Sequence, residues 1–271
     1  MSSADNELQF AFHLADLAAE IGQAHQSTLG DVTKADGSLQ TAADRLISRR
    51  MNDEIKAAYP QDGIVDEEAD PHAEQAERVW VLDPIDGTAQ FARGNDVWGT
   101  LISLRQGSKA LMSLVSAPDL ALRFFACDEG PAIKMDCLSG ERQEMTVSTV
   151  KHLSEASITV GAADLAFSHK FDERLLHLAQ QCKSYFGAES FLPYLLVAEG
   201  KADLCAIPNA HRWDWSATGH IVEAAGGNYH LASFVEGCQT VICSNQSLEA
   251  EIADCLNHRS YGALAARYPQ N

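Results

Sequence analysis

Apolar residues recur near helical spacing from Asn6 to about Gln26, where Leu8, Phe12, Ala15, Leu17, Ala18 and Ile21 are separated by polar positions, so an amphipathic helix is predicted there. A second helix is expected from Thr41, with Leu46, Ile47, Met51 and Ile55 inside and Pro60 closing it. Its opening, Thr41-Ala-Ala-Asp44, reads as a capping box. From Gly63 the period changes. Short apolar runs bounded by turn residues, at Gly63–Val65, Val79–Leu82, Thr100–Leu104, Ala110–Val115 and Leu122–Ala126, predict the strands of a mixed sheet. Cys127 to Glu155 is polar and reads as irregular. Beyond it, strands are expected at Ser157–Val160, Ala202–Ala206 and Thr240–Cys243. Helices are expected near Phe171–Cys182, Phe191–Glu199 and Trp215–Ala225, the last stopped by Gly226-Gly227, with one or two more at the end. A lobe boundary is expected near residue 154, dividing 1–154 from 155–271.

Composition narrows the function. With 271 residues, 46% of them hydrophobic, the chain suits a folded globular protein and not a disordered or fibrous one. Its 20 basic and 38 acidic residues give a net charge of −18. Such a field repels phosphate backbones and anionic headgroups, so neither a nucleic acid nor a membrane is expected as partner. A small anionic substrate is compatible only if cations stand between it and the protein, an early pointer to divalent metal. Seven cysteines without a CxxC pair, no basic leader and no apolar run approaching about 18 residues predict reduced thiols and a cytoplasmic location.

Four acidic residues, Glu67, Asp83, Asp86 and Asp214, lie at the ends of apolar runs, where a strand delivers its side chain to the rim of a sheet. In Val79-Trp-Val-Leu-Asp83-Pro-Ile-Asp86-Gly-Thr88 the strand is expected to stop at Asp83, because Pro84 cannot continue the ladder, and Gly87 allows a tight turn into a helix. Two carboxylates flanking one turn are costly to ionise together unless a hard divalent cation joins them, which suits Mg²⁺ better than Zn²⁺. The amides of Gly87 and Thr88 would offer free N–H groups to a phosphate. A surface turn with helix-capping aspartates fits the same string.

Three ordered segments carry a family resemblance. Trp80-Val-Leu-Asp83-Pro-Ile-Asp86-Gly-Thr88-Ala-Gln-Phe91 resembles the first signature of the inositol monophosphatase family, the lithium-sensitive Mg²⁺-dependent phosphatases. Ile64-Val-Asp-Glu67-Glu68 is similar to its Gly-Glu-Glu segment, and Trp213-Asp214-Trp-Ser-Ala-Thr-Gly to its second signature. Lys34 and the Thr41/Asp44 pair fall where the family has them. The resemblance implies a two-lobed, mixed α/β fold, a five-layer αβαβα sandwich with the metal site between the lobes, and a homodimer. It implies Glu67, Asp83 and the carbonyl of Ile85 on a first Mg²⁺, Asp83, Asp86 and Asp214 on a second, and a third, weaker ion near Glu67. Li⁺ and excess Ca²⁺ would inhibit. Thr88, paired with Asp44, would orient or deprotonate the attacking water, a water on the second metal would protonate the leaving alkoxide, and the amides of Gly87 and Thr88 would hold the phosphate. Glu68 beside Glu67 reads as an outer or solvated residue, and Asp66, Asp70, Glu74 and Glu77 as a solvated run.

Arg93-Gly-Asn-Asp-Val-Trp98 and Leu195-Leu-Val-Ala-Glu-Gly200 look most like the histidinol-phosphate phosphatase branch. That branch recognises the alcohol half of its substrate with acidic groups, yet Ser190, Ile207 and Asn209 stand where acids are expected. Glu189 is the candidate replacement. The substrate pocket is therefore assigned to Lys34, Glu189, Ser190, Asn209 and His211, with a small polyol or amino-alcohol phosphate as substrate. A nucleotide or sugar bisphosphate, and a non-catalytic metal and phosphate binder, stay open as alternatives. His211 and His220 read as capping or partly buried structural groups rather than catalysts.

Overall fold

Ala11, Leu14, Ala15 and Ala18 put one buried stripe on helix α1 (Ser3–His25). The two-residue strands β1 (Val32–Thr33) and β2 (Leu39–Gln40) pair antiparallel. Helix α2 (Ala42–Ala58) starts at Thr41, whose side chain accepts from the Asp44 amide while the Asp44 carboxylate accepts from the Thr41 amide. Ile47, Met51 and Ile55, spaced by four, are fully buried. Leu46, expected inside, lies one position off that stripe and is exposed. The computed structural model describes residues 3–26, 32–33, 39–128, 130–161, 173–235 and 238–257.

Eight strands then form one sheet: β3 (Gly63–Asp66), β4 (Ala69–His72), β5 (Arg78–Asp86), β6 (Gly99–Gln106), β7 (Lys109–Ala117), β8 (Leu122–Cys127), β9 (Ile133–Asp136) and β10 (Arg142–Glu144). The short helix α3 (Thr88–Ala92) leaves β5 through Gly87. Across the sheet the order is β10-β9-β8-β7-β6-β5-β3-β4, with β3 and β5 parallel. A second sheet of β11 (Ser157–Val160), β12 (Ser184–Gly187), β13 (Leu204–Ile207), β14 (Gly227–Val235) and β15 (Cys238–Asn245) runs β12-β11-β13-β15-β14. The remaining described helices are α4 (Glu173–Gln181), α5 (Leu192–Ala198), α6 (Arg212–Ala224) and α7 (Glu249–Asn257).

Burial arranges these elements in five layers. Helices α1 and α2 cover Trp80, Leu82, Ile102 and Leu114 on one face of the large sheet. Leu195 and Val197 of α5, with Ile221 and Val222 of α6, fill the space between Leu101, Val115 and Phe124 of that sheet and Cys205, Val241 and Cys243 of the smaller one. On the far side Leu175 and Leu178 of α4 and Ile252 of α7 close over Ile158, Leu204 and Ile242. The order is thus α, β, α, β, α, with the acidic segments at the central junction. Among the described residues no helix is long and apolar enough to cross a membrane.

Several expectations need correction. Strand β5 does not stop at Asp83: it runs through Pro84 to Asp86, and its register against β6 shifts between Asp83 and Asp86. A bulge leaves one residue out of the ladder, which is where proline's missing N–H is tolerated. The stretch read as irregular contains the β9/β10 hairpin. The sequence pattern does not predict strands β4, β12 and β14; β4, within the run read as solvated, and β12 are edge strands exposed at all four residues. Asp66 belongs to no solvated run. It is buried beneath α2, accepting from Ser48 and Asn52 and from the Glu68 amide.

Candidate active site

Parallel pairing of β3 and β5 aligns Val65 with Val81 and Asp66 with Leu82. The Glu67 amide then donates to the Leu82 carbonyl, so the next step along both strands sets Glu67 beside Asp83. The bulge at Pro84 turns the chain so that Asp86 follows at the same rim. Asp214 arrives from the first turn of α6, where its carboxylate accepts from the His211 amide at 2.7 Å. Asp83 is almost fully buried; Glu67, Asp86 and Asp214 are half-buried.

Electrostatics show that these groups share one space. The Asp83 carboxyl is pushed well above its ordinary range, first by burial and then by the charges of Glu67, Asp86, Asp214 and Asp44. Asp86 is raised the same way, by burial and then by Asp214 and Glu67, although the amides of Phe191 and Gly87 donate to it. Asp83 Oδ1 is buried without a hydrogen-bond partner. Acidic groups delivered to one rim, one oxygen of them orphaned, have the donor chemistry that a hard divalent cation takes. Among the described residues the side chains do not close into a ready-made group of three metal donors. The fit rests on donor chemistry and on the orphaned Asp83 oxygen.

The two oxygens of Asp44 face different partners. Oδ2 accepts from Thr41 in the capping box, while Oδ1 faces the Thr88 hydroxyl at 3.4 Å. The Thr88 hydroxyl also reaches the Ile85 carbonyl at 3.0 Å. Fully buried Asp44 is raised to about 6, chiefly by burial, with the Thr41 hydrogen bonds opposing the shift and Glu68 adding to it.

Gly87 adopts φ 87, and a Cβ built there would lie 2.5 Å from Ser190 Oγ and 3.0 Å from the Val97 carbonyl oxygen. Ser190 is thereby placed against the turn that joins Asp86 to Thr88. Ser190 and Asn209 both have left-handed backbones, at φ 59 and 55, a conformation uncommon for serine and more readily adopted by asparagine. Gly87→Ala is expected to destabilise the protein by about 1–3 kcal/mol and to displace the Ser190 hydroxyl. A urea melt and a phosphatase assay check it; wild-type midpoint and activity would rule it out.

Glu189 is half-buried one residue before Ser190. His211 sits at the start of α6 with its ring stacked on Trp213. Lys34 lies outside the described residues. His220 is buried away from the acids, bonded to Ser113 Oγ and the Asp128 carbonyl, which fits the structural role expected of it. Sequence reasoning missed Tyr194. Its buried hydroxyl has no partner, and it is raised by burial, by the thiols of Cys243 and Cys205, and by the charges of Asp214 and Asp86. A tyrosine in an apolar helix face carries no signal that would mark it.

A five-layer fold that gathers buried acidic groups beside a glycine turn offers the donor chemistry that metal-assisted phosphate-ester hydrolysis uses. The comparisons agree. The model of the inositol monophosphatase family matches residues 3–260, and the chain belongs to that family. The histidinol-phosphatase of Streptomyces coelicolor is 32% identical over 94% of this chain and 98% of its own length, and that of Mycobacterium tuberculosis 31% identical over 93% and 98%. The solved structure of the extragenic suppressor protein suhB from Bartonella henselae has a TM-score of 0.80 at 20% identity, covering 94% of this chain and 99% of that one. The protein is a phosphoric monoester hydrolase of a family that is generally Mg²⁺-dependent.

Proposed function

We propose that the protein is a Mg²⁺-dependent phosphomonoesterase acting on a small polyol or amino-alcohol phosphate. The observation that carries this reading is the delivery of Glu67, Asp83 and Asp86 to one rim by β3 and β5, with Asp214 in the first turn of α6 and one Asp83 oxygen buried without a partner. Glu67, Asp83, the Ile85 carbonyl, Asp86 and Asp214 would hold the cations. When bound, Mg²⁺ supplies electrostatic stabilisation of the charge that develops on the phosphoryl oxygens and activates water. The Thr88 amide would hold the phosphate; the Gly87 amide, expected to share that task, instead donates to the Asp86 carboxylate. Thr88 Oγ1 orients the attacking water and takes its proton, handing its own to Asp44 Oδ1, which is largely ionised above pH of about 6 and thus free to accept it.

Two relatives named as histidinol-phosphatases support an amino-alcohol phosphate, and Glu189 and Ser190 beside Gly87 are the groups that would meet the alcohol half. Residues 1–154 and 155–271 serve as the two lobes of this site. A homodimer and a cytoplasmic location belong to the same reading and rest on the family resemblance and on composition. Phosphate release from histidinol phosphate, inositol 1-phosphate, fructose 1,6-bisphosphate, adenosine 3′,5′-bisphosphate and sugar monophosphates, with Mg²⁺ and with chelator, tests it. Release from a monophosphate in Mg²⁺ alone is expected. Full activity in chelator would overturn the metal role, and turnover of bisphosphates alone would replace the substrate class.

A further inference from the structure

One face of α2 is polar although it is buried. Asp44, Ser48 and Asn52 recur every four residues and so share a face, beside the apolar row of Ile47, Met51 and Ile55. Asp44 meets Thr41 and Thr88, whereas the other two meet Asp66, the last residue of β3. Ser48 Oγ donates to Asp66 Oδ2 at 2.8 Å and Asn52 Nδ2 donates to the same oxygen at 2.6 Å. Asn52 Nδ2 also donates to the Ser48 carbonyl at 2.9 Å. The other carboxylate oxygen, Asp66 Oδ1, accepts from the Glu68 amide at 2.8 Å.

Glu67 is thereby fixed from both sides. Its own amide donates to the Leu82 carbonyl of β5, and the next amide along the chain is tied back to the Asp66 side chain, which bends the backbone immediately after Glu67. The Asp66 side chain cannot turn away without giving up two donors from α2. Glu68 is held separately: its carboxylate accepts from Gln40 Nε2, while Gln40 Oε1 accepts from Arg45 Nη1 at 2.7 Å. Burying three polar side chains yields little net stability, because each hydrogen bond replaces one to water. What it supplies is direction. One helix presents Asp44 to the Thr88 hydroxyl and, about one and two turns further on, anchors the segment that bears Glu67.

Resting on the metal role proposed above, we infer that Asp66 is a positioning residue that sets the Mg²⁺ affinity of the site: it holds Glu67 at the rim through the Glu68 amide, with Ser48 and Asn52 as its anchors. Asp66 pairs with Leu82 on the face that α2 covers, and Glu67 follows beside Asp83 on the other. Asp66 therefore acts through the backbone of this turn and not as a metal ligand. Residues that orient a ligating carboxylate from behind typically change metal affinity by about 10- to 100-fold when they are removed.

Titration calorimetry with Mg²⁺, which needs no turnover, and phosphate release against Mg²⁺ concentration test this on the full chain. Asp66→Ala is expected to raise both the Mg²⁺ dissociation constant and the half-saturating Mg²⁺ about tenfold, with activity regained in excess Mg²⁺. Ser48→Ala and Asn52→Ala, which each remove one anchor, should weaken Mg²⁺ about threefold. In Glu67→Gln, where the positioned carboxylate is gone, adding Asp66→Ala should bring little further loss of Mg²⁺ affinity. A full second loss there overturns Glu67 as the route. Wild-type Mg²⁺ affinity in a folded Asp66→Ala protein overturns the proposal, and a lower melting temperature in chelator beside that unchanged affinity would make Asp66 a packing residue only. If Asp66→Ala does not fold, wild-type affinity in both Ser48→Ala and Asn52→Ala overturns it. Failure of the wild type to bind Mg²⁺ is a different result: it overturns the metal reading itself, and this inference with it.

Discussion

Asp83→Asn is expected to lower kcat/KM in saturating Mg²⁺ by about a thousandfold and, in the same protein, to raise the melting temperature of the chelated form. Loss of several kcal/mol of charge stabilisation in the transition state gives about that factor. The opposite sign for stability follows from burial. Asp83 is 2% exposed, one of its oxygens has no hydrogen-bond partner, and four other carboxylates raise it. Without a cation, ionising it costs the folded state far more than the unfolded one, and asparagine removes that cost while keeping the shape. A gain of about 3 °C or more is expected by calorimetry in chelator. Mg²⁺ should stabilise the wild type and not the variant. A variant that stays active, or that is less stable than the wild type in chelator, would remove Asp83 from the centre of the site. Asp214→Asn should lose activity with little change in fold, because an amide oxygen can still accept from the His211 amide.

Much of the candidate site was legible because its residues follow local rules. Asp83 and Asp86 stand at the end of an apolar strand beside a proline and a glycine, and Asp44 stands three residues after a threonine at a helix start. What could not be read locally is how such pieces meet. The dual use of Asp44 needs the 3.4 Å approach of Thr88, 44 positions away in sequence. Asp66 looked like one more acid in a charged run, and only the packing of α2 against β3 shows that Ser48 and Asn52 bury it. The placement of Ser190 against Gly87 likewise depends on layers far apart in sequence. Edge strands were missed for a different reason: Ser184–Gly187 pairs only through its backbone on one side, and its exposed side chains carry no alternation. Pro84 was over-read. Proline forbids a ladder hydrogen bond, not a strand, and a bulge supplies the position where that bond is not needed.

Stability of the chelated protein is expected to fall as pH rises from 6 to 8, and Mg²⁺ to raise the melting temperature at least about twice as much at pH 8 as at pH 6. Asp83 and Asp86 are raised above the ordinary carboxylate range in the fold. A native carboxyl that binds its proton more tightly than the unfolded chain contributes stability that is complete below the unfolded value. That contribution is lost as pH climbs through the folded value. Cations reverse the balance, since they need the same oxygens deprotonated, and their effect grows as protons leave. Other groups titrate across this window. His152 is raised by its hydrogen bond to Glu251, which adds stability at the acidic end, whereas His220 is lowered by burial, which removes it there. Glu249 and Glu251 are lowered by hydrogen bonds and stay ionised throughout. None of these four belongs to the acidic site, so their contributions are common to the chelated and the Mg²⁺-loaded curves and cancel in the difference. The difference between the two melting curves at each pH therefore reads the acidic cluster of Asp83 and Asp86 together with Asp44, which is raised to about 6 beside it. An equal Mg²⁺ shift at both pH values would mean that protons and cations do not compete for these oxygens.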